Sequence, residues 1–263
     1  MNAIAKSQIP QIADRFASVF ERHKKRPLEV LPTGVAEIDR VLHGFPRGAI
    51  TEIHGAVSCG RTSLLVSALA VATSNEETCA LVDCSNTFDL ESSARAEVNF
   101  DRLLWIRCKN NLENAFKAVD LLLHAGGFGF IALNLADMPA KTLRRIISTW
   151  WFRFRRAIEN TPAVLIVTTP IACVRSCAAV TLNLKNDRAV WHETDGFIAT
   201  EEKYALMTNG KRAPHLSLVH YDRYAIRSAA SHHACLLQGL TVRVDRERPL
   251  EWPDRTIHFT AFV

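Results

Sequence analysis

Short apolar segments alternate with amphipathic segments through the middle of the chain. The segments between the apolar runs place apolar residues three or four positions apart and predict helices. Strands that are apolar along their length and separated by helices form a mostly parallel sheet covered on both faces. We therefore predict an α/β fold with a mostly parallel central sheet flanked by helices. The predicted strands are AITEIHG, TCALVDCS, LLWIRC, FGFIALNLA and PAVLIVTT.

The pattern changes after about residue 178. AAVTLNLKNDRAVWHE predicts a hairpin with its turn at Asn186–Asp187, and LTVRVDRE and TIHFTAFV alternate like two further antiparallel strands. Residues 194–235 show no sustained period and predict a long insertion with little regular structure. The fold thus ends in C-terminal antiparallel strands.

The N-terminal region predicts a short amphipathic helix followed by a basic linker. Ile12, Phe16 and Phe20 have helical spacing, and the basic run Arg22–Arg26 precedes a proline. We divide the chain into an N-terminal helix and linker (1–29), a core (30–192), and the insertion with the C-terminal strands (193–263).

Composition and charge restrict the partners, the cellular location and the cysteine chemistry that we expect. The net charge of +5 fits a nucleic-acid or acidic-protein partner without requiring one. No secretory signal and no apolar run long enough for a bilayer is visible, which predicts a cytoplasmic protein without membrane contact. Seven cysteines without regular spacing predict reduced, buried thiols. A metal site at Cys173, Cys177 or Cys235 is the alternative, but no second ligand pair completes it.

The segment GAVSCGRTS matches a phosphate-binding loop except at one position. The loop follows a predicted strand and begins a helix, where glycines let backbone N–H groups converge on an anion. The expected lysine is replaced by Arg61, whose wide planar guanidinium is a poor substitute for a compact ammonium. The candidate phosphate contacts are Gly55, Ser58, Gly60, Arg61, Thr62 and Ser63.

The motifs around this loop resemble those of the RecA/Rad51 recombinase family over roughly residues 30–190. The resemblance rests on LPTGVAEIDRVLHGFPRGAITEIHGAVSCGRTSL and TCALVDCSNTFD, and it implies a RecA-like P-loop core. AAVTLNLKNDRAVW and LLQGLTVRV are most similar to ImuA-type bacterial proteins, which are RecA-like accessories of mutagenic translesion synthesis.

The same resemblance implies that catalysis has been lost. Ser85 stands where the family has its catalytic glutamate, Asn134 replaces the Walker B aspartate, and the γ-phosphate sensor falls near Thr168–Thr169. Serine is no general base, and a neutral amide cannot hold Mg²⁺ as a carboxylate does. Asp137 could supply the acid if its strand ran longer, but we interpret it as a helix N-cap.

We therefore predict a pseudo-ATPase that has no catalytic residues and no required cofactor, leaving room for weak residual ATP binding. Two rivals remain open: a DNA-dependent ATPase with an arginine-containing P-loop, and a scaffold that binds nucleotide without hydrolysis. The ImuA resemblance implies a role in the SOS response, with a Y-family polymerase-like protein, a recombinase or DNA as partner.

The segment PAKTLRRIISTWWFRFRRAIEN predicts one long helix with a basic face, on which Trp151 and Phe152 flank the arginines. Such a face suits single-stranded DNA or an acidic partner, and an ordinary solvated helix face is the alternative. The stripe predicted to face the sheet is Leu143, Ile146, Ile147, Trp150, Phe154 and Ala157. The candidate nucleic-acid contacts are Arg144, Arg145, Arg153, Arg155 and Arg156.

Two further features follow from the recombinase resemblance. The second DNA-binding loop of the family is reduced here to PIACVRSC, with Arg175 as its single charge, which argues against recombinase-style filament binding. The N-terminal helix could dock on a partner, or on a second copy and form a homo-oligomer, or pack back on its own core.

Overall fold

The computed structural model describes residues 29–191, 237–249 and 256–262. The predicted N-terminal helix with Ile12, Phe16 and Phe20, the basic run Arg22–Arg26, and the insertion at 194–235 lie outside the described residues. The division of the chain at residues 29 and 192 therefore stays a prediction.

The described chain alternates strands and helices. Short 3₁₀ helices at Phe100–Arg102 and Arg175–Cys177 precede two of the strands. The strands are β1 (Val30–Leu31), β2 (Phe45–Pro46), β3 (Ala49–Gly55), β4 (Cys79–Asp83), β5 (Leu103–Arg107), β6 (Phe130–Asn134), β7 (Val164–Thr169), β8 (Ala178–Trp191), β9 (Leu237–Arg248) and β10 (Thr256–Phe262). The helices are α1 (Ala36–Leu42), α2 (Arg61–Ser74), α3 (Leu90–Arg95), α4 (Leu112–Ala125), α5 (Ala140–Leu143) and α6 (Ser148–Ile158).

The central sheet has eight strands in the order β10-β9-β8-β3-β7-β6-β4-β5. The six strands from β8 to β5 pair in parallel, whereas β9 and β10 continue the sheet in antiparallel pairing. This confirms the predicted α/β fold with a mostly parallel sheet and C-terminal antiparallel strands. The carboxyl ends of the parallel strands share one edge, and the candidate site lies there.

Apolar side chains cover both faces of the sheet. On one face, Leu64 and Leu69 of α2 pack with Ile53 of β3 and with Val242 and Phe259 of the C-terminal strands. On the other face, Phe116 of α4 contacts the rings of Trp151 and Phe154 of α6. Helices on both faces explain why the parallel strands are apolar along their whole length.

Residues 178–191 form one strand, so the predicted hairpin with its turn at Asn186–Asp187 is wrong. β8 pairs with β3 along one side and with β9 along the other. Asn186 is opposite Val242 and Arg188 is opposite Thr241, so the register skips Asp187. The turn-forming pair is therefore accommodated as an irregularity within a paired strand.

The predicted long helix is two helices, because the backbone is extended at Ile147 (φ −71°, ψ 128°). The break changes which side chains face the core: Trp151, Phe154 and Ile158 are buried, whereas Ile147 is 65% exposed. The predictions that Trp151 flanks the basic face and that Ile147 faces the sheet are therefore wrong.

Candidate phosphate-binding site

The glycine loop lies between β3 and α2, as predicted. Gly60 is the N-cap of α2 and has φ 86°, and a Cβ there would be 2.8 Å from the Val242 side chain of β9. A Cβ on Gly55 would collide with the carbonyl oxygen of Leu184 on β8. Both positions require glycine, because the loop packs closely against the two strands that extend the sheet.

Arg61 is buried at this loop, and its side chain contacts the segment that follows β6. Only 5% of its surface is exposed, and its Nη1 donates a hydrogen bond to the carbonyl oxygen of Ala136 at 3.3 Å. Ala136 follows β6, so this hydrogen bond links the start of α2 to the segment after β6.

Asn134 is at the centre of a hydrogen-bond network at the same edge. Its Nδ2 donates to Asp83 Oδ1 at 3.2 Å and to Thr87 Oγ1 at 3.1 Å. Its Oδ1 accepts from Thr168 Oγ1 at 2.7 Å and from the backbone N–H of Ala136 at 3.2 Å. The amide is thus satisfied on both sides by the chain itself.

Asp83 is the buried carboxylate of this edge, and sequence reasoning did not assign it to the site. It ends β4, and its register partner on β6 is Asn134. It is 0% exposed, and its Oδ2 accepts a hydrogen bond from the N–H of Phe88 at 3.0 Å. Both of its oxygens already accept hydrogen bonds. An acidic residue at the end of a predicted parallel strand was the signal that could have identified it.

Ser85, which stands where the family has its catalytic glutamate, and Asp137, the alternative acid, do not join this network. Ser85 follows β4, and its Oγ is buried with no hydrogen-bond partner in the described part of the chain. β6 ends at Asn134, so the strand does not extend to Asp137, which is exposed. The prediction that Asp137 caps the next helix is also wrong, because Pro139 occupies the N-cap of α5.

A cavity of about 520 Å³ adjoins the first turn of α2. Thr62 and Ser63 are exposed and line it beside Val66. At its other side, hydrogen bonds from Ser92 lower the pKa of Asp89, the N-cap of α3. The cavity combines apolar surface with hydroxyl groups, as small-molecule sites commonly do.

The five arginines predicted to contact nucleic acid form a basic surface despite the break in the helix, but one of them, Arg153, is bound to a carboxylate. The five candidate arginines are all exposed, but Nε and Nη2 of Arg153 each lie 2.6 Å from a carboxylate oxygen of Asp120. Phe152 is 53% exposed on the same helix. Burial raises the pKa of Cys177, and the nearby charge of Arg155 opposes the rise. Cys177 belongs to the 3₁₀ helix Arg175–Cys177, so Arg155 lies near this helix and near the part of the chain that contains Arg175.

The predicted burial of the cysteines is confirmed for the six that the structure describes. Cys235 lies outside the described residues. Within residues 29–191, 237–249 and 256–262, no three His, Cys, Asp or Glu side chains come together as a metal site. No helix in this part of the chain has the length and apolar character needed to cross a membrane.

Comparison with known proteins gives one family. Residues 4–142 match the RecA N-terminal domain family. The chain is similar to protein RecA of Pseudomonas putida, with 32% identity over 225 residues that cover 73% of this chain and 63% of the relative. It is also similar to protein RecA of Streptomyces ambofaciens, with 34% identity over 112 residues that cover 42% of this chain and 30% of the relative. The matches thus span only part of each relative's length.

Proposed function

Because the chain belongs to the RecA family, we propose that it is a catalytically inactive RecA-like accessory protein of the bacterial DNA-damage (SOS) response. In this proposal it acts in the cytoplasm and supports translesion synthesis or modulates recombination. It does so through contacts with protein partners and DNA. The finer assignment to ImuA-type accessories rests on the resemblance of its C-terminal strands.

The observation that carries the loss of catalysis is the closed network around Asn134. Phosphoryl transfer depends on a metal held by a carboxylate and on a group that positions the nucleophile. The position for the carboxylate is an amide whose nitrogen and oxygen are bound by Asp83, Thr87 and Thr168. Loss of one such stabilising group commonly costs two to three orders of magnitude in rate.

Arg61 supports the same conclusion from the other side of the loop. A lysine would extend a compact ammonium toward the phosphates, whereas a guanidinium is wide and planar. This guanidinium is buried and donates to the carbonyl of Ala136. The hydrogen bond to Ala136 uses one of the five N–H groups of the guanidinium and fixes its position beside the segment after β6.

The partner is proposed from the exposed arginines that follow α5 and those on α6. Arg144, Arg145, Arg155 and Arg156 are exposed, and so is the aromatic ring of Phe152 on α6. Positive charges beside an exposed ring suit single-stranded DNA, whose phosphates and bases use both. A Y-family polymerase-like protein or a recombinase is the protein partner that the resemblance implies.

ATP turnover in the presence of Mg²⁺ and single-stranded DNA tests the proposal. We expect the rate of the wild-type protein to equal that of Arg61→Ala. Arg102→Ala, at an exposed arginine, is the matched control. Turnover that Arg61→Ala abolishes and Arg102→Ala retains would favour the alternative, a DNA-dependent ATPase with an arginine-containing P-loop.

The exposed hydroxyl groups of Thr62 and Ser63, at the start of α2 directly after the glycine loop, favour a second candidate function, binding of nucleotide without hydrolysis. In this second candidate the protein still hydrolyses no nucleotide, but it binds one. Calorimetric titration with ATP distinguishes the two, because a defunct pocket gives no binding heat. A saturable signal that Thr62→Ala with Ser63→Ala removes would establish the second candidate.

A further inference from the structure

Two cysteines follow directly after neighbouring strands. β4 and β5 pair in parallel, and their last register pair is Asp83 with Arg107. Cys84 and Cys108 are the next residues of the two chains, and the N–H of Cys108 donates to the carbonyl oxygen of Asp83 at 2.9 Å. The N–H of Asn110 then donates to the carbonyl oxygen of Cys84 at 2.6 Å, so the two segments stay hydrogen-bonded past the last register pair, although the regular register ends at Asp83 and Arg107.

Their side chains share one face of the sheet. Both pack in the core cluster that contains Val82 and Ile106, each two residues earlier on its own strand. Neighbouring strands lie about 4.8 Å apart, and disulfides join Cα atoms about 4.4–6.8 Å apart. Cys84 and Cys108 therefore follow the ends of two paired strands, whose usual spacing lies within the range that a disulfide can join.

We propose that Cys84 and Cys108 form a reversible dithiol–disulfide pair that peroxide oxidises and thiols reduce. The bond would join the segment after β4, which contains Ser85 and Thr87, to the end of β5. This inference is independent of the proposed function, because it needs neither nucleotide nor DNA.

The oxidation balances with a hydroperoxide as oxidant. The Cys108 thiol loses its proton and the thiolate attacks one peroxide oxygen, so that the O–O bond breaks and the sulfur becomes a sulfenic acid; the leaving hydroxide or alkoxide takes up the released proton and becomes water or an alcohol. The Cys84 sulfur then attacks the sulfenic sulfur, its proton leaves with the hydroxide as water, and the S–S bond forms. Two electrons pass from the thiol pair to the peroxide. A dithiol reverses the bond by exchange.

Burial assigns the order of the two steps. Cys108 is 8% exposed and lines a surface depression beside Arg107 and Lys109, whereas Cys84 is 0% exposed. Burial raises the pKa of Cys84 to about 11, and burial also raises the pKa of Cys108. Both thiols therefore stay protonated near neutral pH, so only sustained peroxide converts the pair.

Oxidation of Cys84 would also affect the turn whose Ala136 carbonyl accepts the hydrogen bond from Arg61. The S–H of Cys84 donates to the Sδ of Met138 at 3.7 Å. Met138 ends the turn in which the carbonyl of Ala136 accepts from Arg61, and its own N–H donates to Leu135 at 3.1 Å. Forming the disulfide removes the S–H donor, so this turn loses one of its contacts.

Mass spectrometry of the full chain tests the pair. The reduced protein is exposed to hydrogen peroxide, blocked with N-ethylmaleimide and digested without reductant. We expect one joined peptide pair containing Cys84 and Cys108, which separates after dithiothreitol. Hydrogen exchange of residues 135–138 should be faster in the oxidised protein.

Cys84→Ser and Cys108→Ser should each eliminate the joined peptides. Cys79→Ser is the matched control, because Cys79 is equally buried on β4 but pairs with Leu103. Peroxide that leaves both thiols free, or takes Cys108 to a sulfinic acid without joining Cys84, would overturn the pair. A disulfide that leaves the exchange of residues 135–138 unchanged would overturn the link to Arg61.

Discussion

At the scale of single residues, the hydrogen-bond network of the site depends on the side chain of Asn134 being neutral. Asn134 donates to Asp83, which is 0% exposed. A carboxylate at position 134 would face a second buried carboxylate at the same distance, and one of the two would have to bind a proton. The amide therefore stabilises the edge of the sheet in a way that the acid could not.

We predict that Asn134→Asp lowers the free energy of unfolding by about 2–4 kcal/mol at pH 7. The introduced carboxyl has a raised pKa in the folded protein, so its penalty is present above the pKa of the unfolded chain. The deficit shrinks as the pH falls from 7 toward 4. Urea unfolding at both pH values measures this, with Asn114→Asp on the exposed surface of α4 as control. Equal losses at the two pH values would contradict the argument.

The glycine loop gives a second prediction at this scale. Gly60 and Gly126 both have positive φ, 86° and 70°, but only a Cβ on Gly60 approaches Val242. We expect Gly60→Ala to cost about 2–4 kcal/mol and Gly126→Ala about 1 kcal/mol, because the first adds a steric clash to the backbone strain. Thermal or urea unfolding compares the two. Similar losses would mean that β9 does not constrain the loop.

At the scale of elements, the exposed arginines do not lie on one long helix: Arg144 and Arg145 follow the end of α5, and the others lie on α6. The ion pair of Arg153 with Asp120 joins α6 to α4 and takes that arginine out of the free set. The remaining four arginines are divided by the extended residue Ile147. A bound strand would therefore contact two groups of charges.

We predict that replacing Arg144, Arg145, Arg155 and Arg156 with alanine weakens binding of single-stranded DNA and flattens its salt dependence. Each lost phosphate contact lowers the slope of log K against log salt by about 0.7. Fluorescence anisotropy across a salt series measures the slope. Arg153→Ala, at the paired arginine, should change it least; an unchanged slope in the fourfold variant would exclude this surface.

Five of the six parallel strands and their alternation with helices were predictable from short apolar runs, whereas β8, which includes Asn183, Lys185 and Asn186, was predicted as a hairpin. The break at Ile147 was not, since no proline or glycine marks it within residues 140–158. Asn186–Asp187 is a turn signal that pairing with β9 overrides, and β9 begins 46 residues after β8 ends. The candidate loop could be located from its glycines. The contact of Arg61 with Ala136 joins residues 75 positions apart, and no local pattern encodes it.

At the scale of the whole molecule, the C-terminal strands are held to the sheet by side chains as well as by backbone. Asp245 of β9 accepts from Lys185 of β8 at 2.8 Å and from Thr256 of β10 at 3.1 Å. Burial alone would raise the pKa of Asp245, but these hydrogen bonds outweigh it and the pKa is lowered. One carboxylate thus connects three strands.

We predict that this connection fails in acid. Because the pKa of Asp245 is lowered in the folded protein, its contribution is present above the unfolded pKa of about 4 and is lost as the pH falls through the folded value. Asp245→Asn should reduce stability at pH 7 by about 1 kcal/mol and have little effect near pH 2. Urea unfolding at the two pH values checks this. A larger loss in acid than at pH 7 would contradict it.

The contact of Gly60 with Val242 has a practical consequence for work on this chain. The loop that the sequence places near its first quarter is supported by a strand from its last tenth. Deletion mapping would therefore mislead: a truncated fragment that stops before β9 keeps every letter of the loop motif yet lacks the side chain that shapes it. Loss of partner binding in such a fragment would report on the missing strand as much as on the residues that touch the partner.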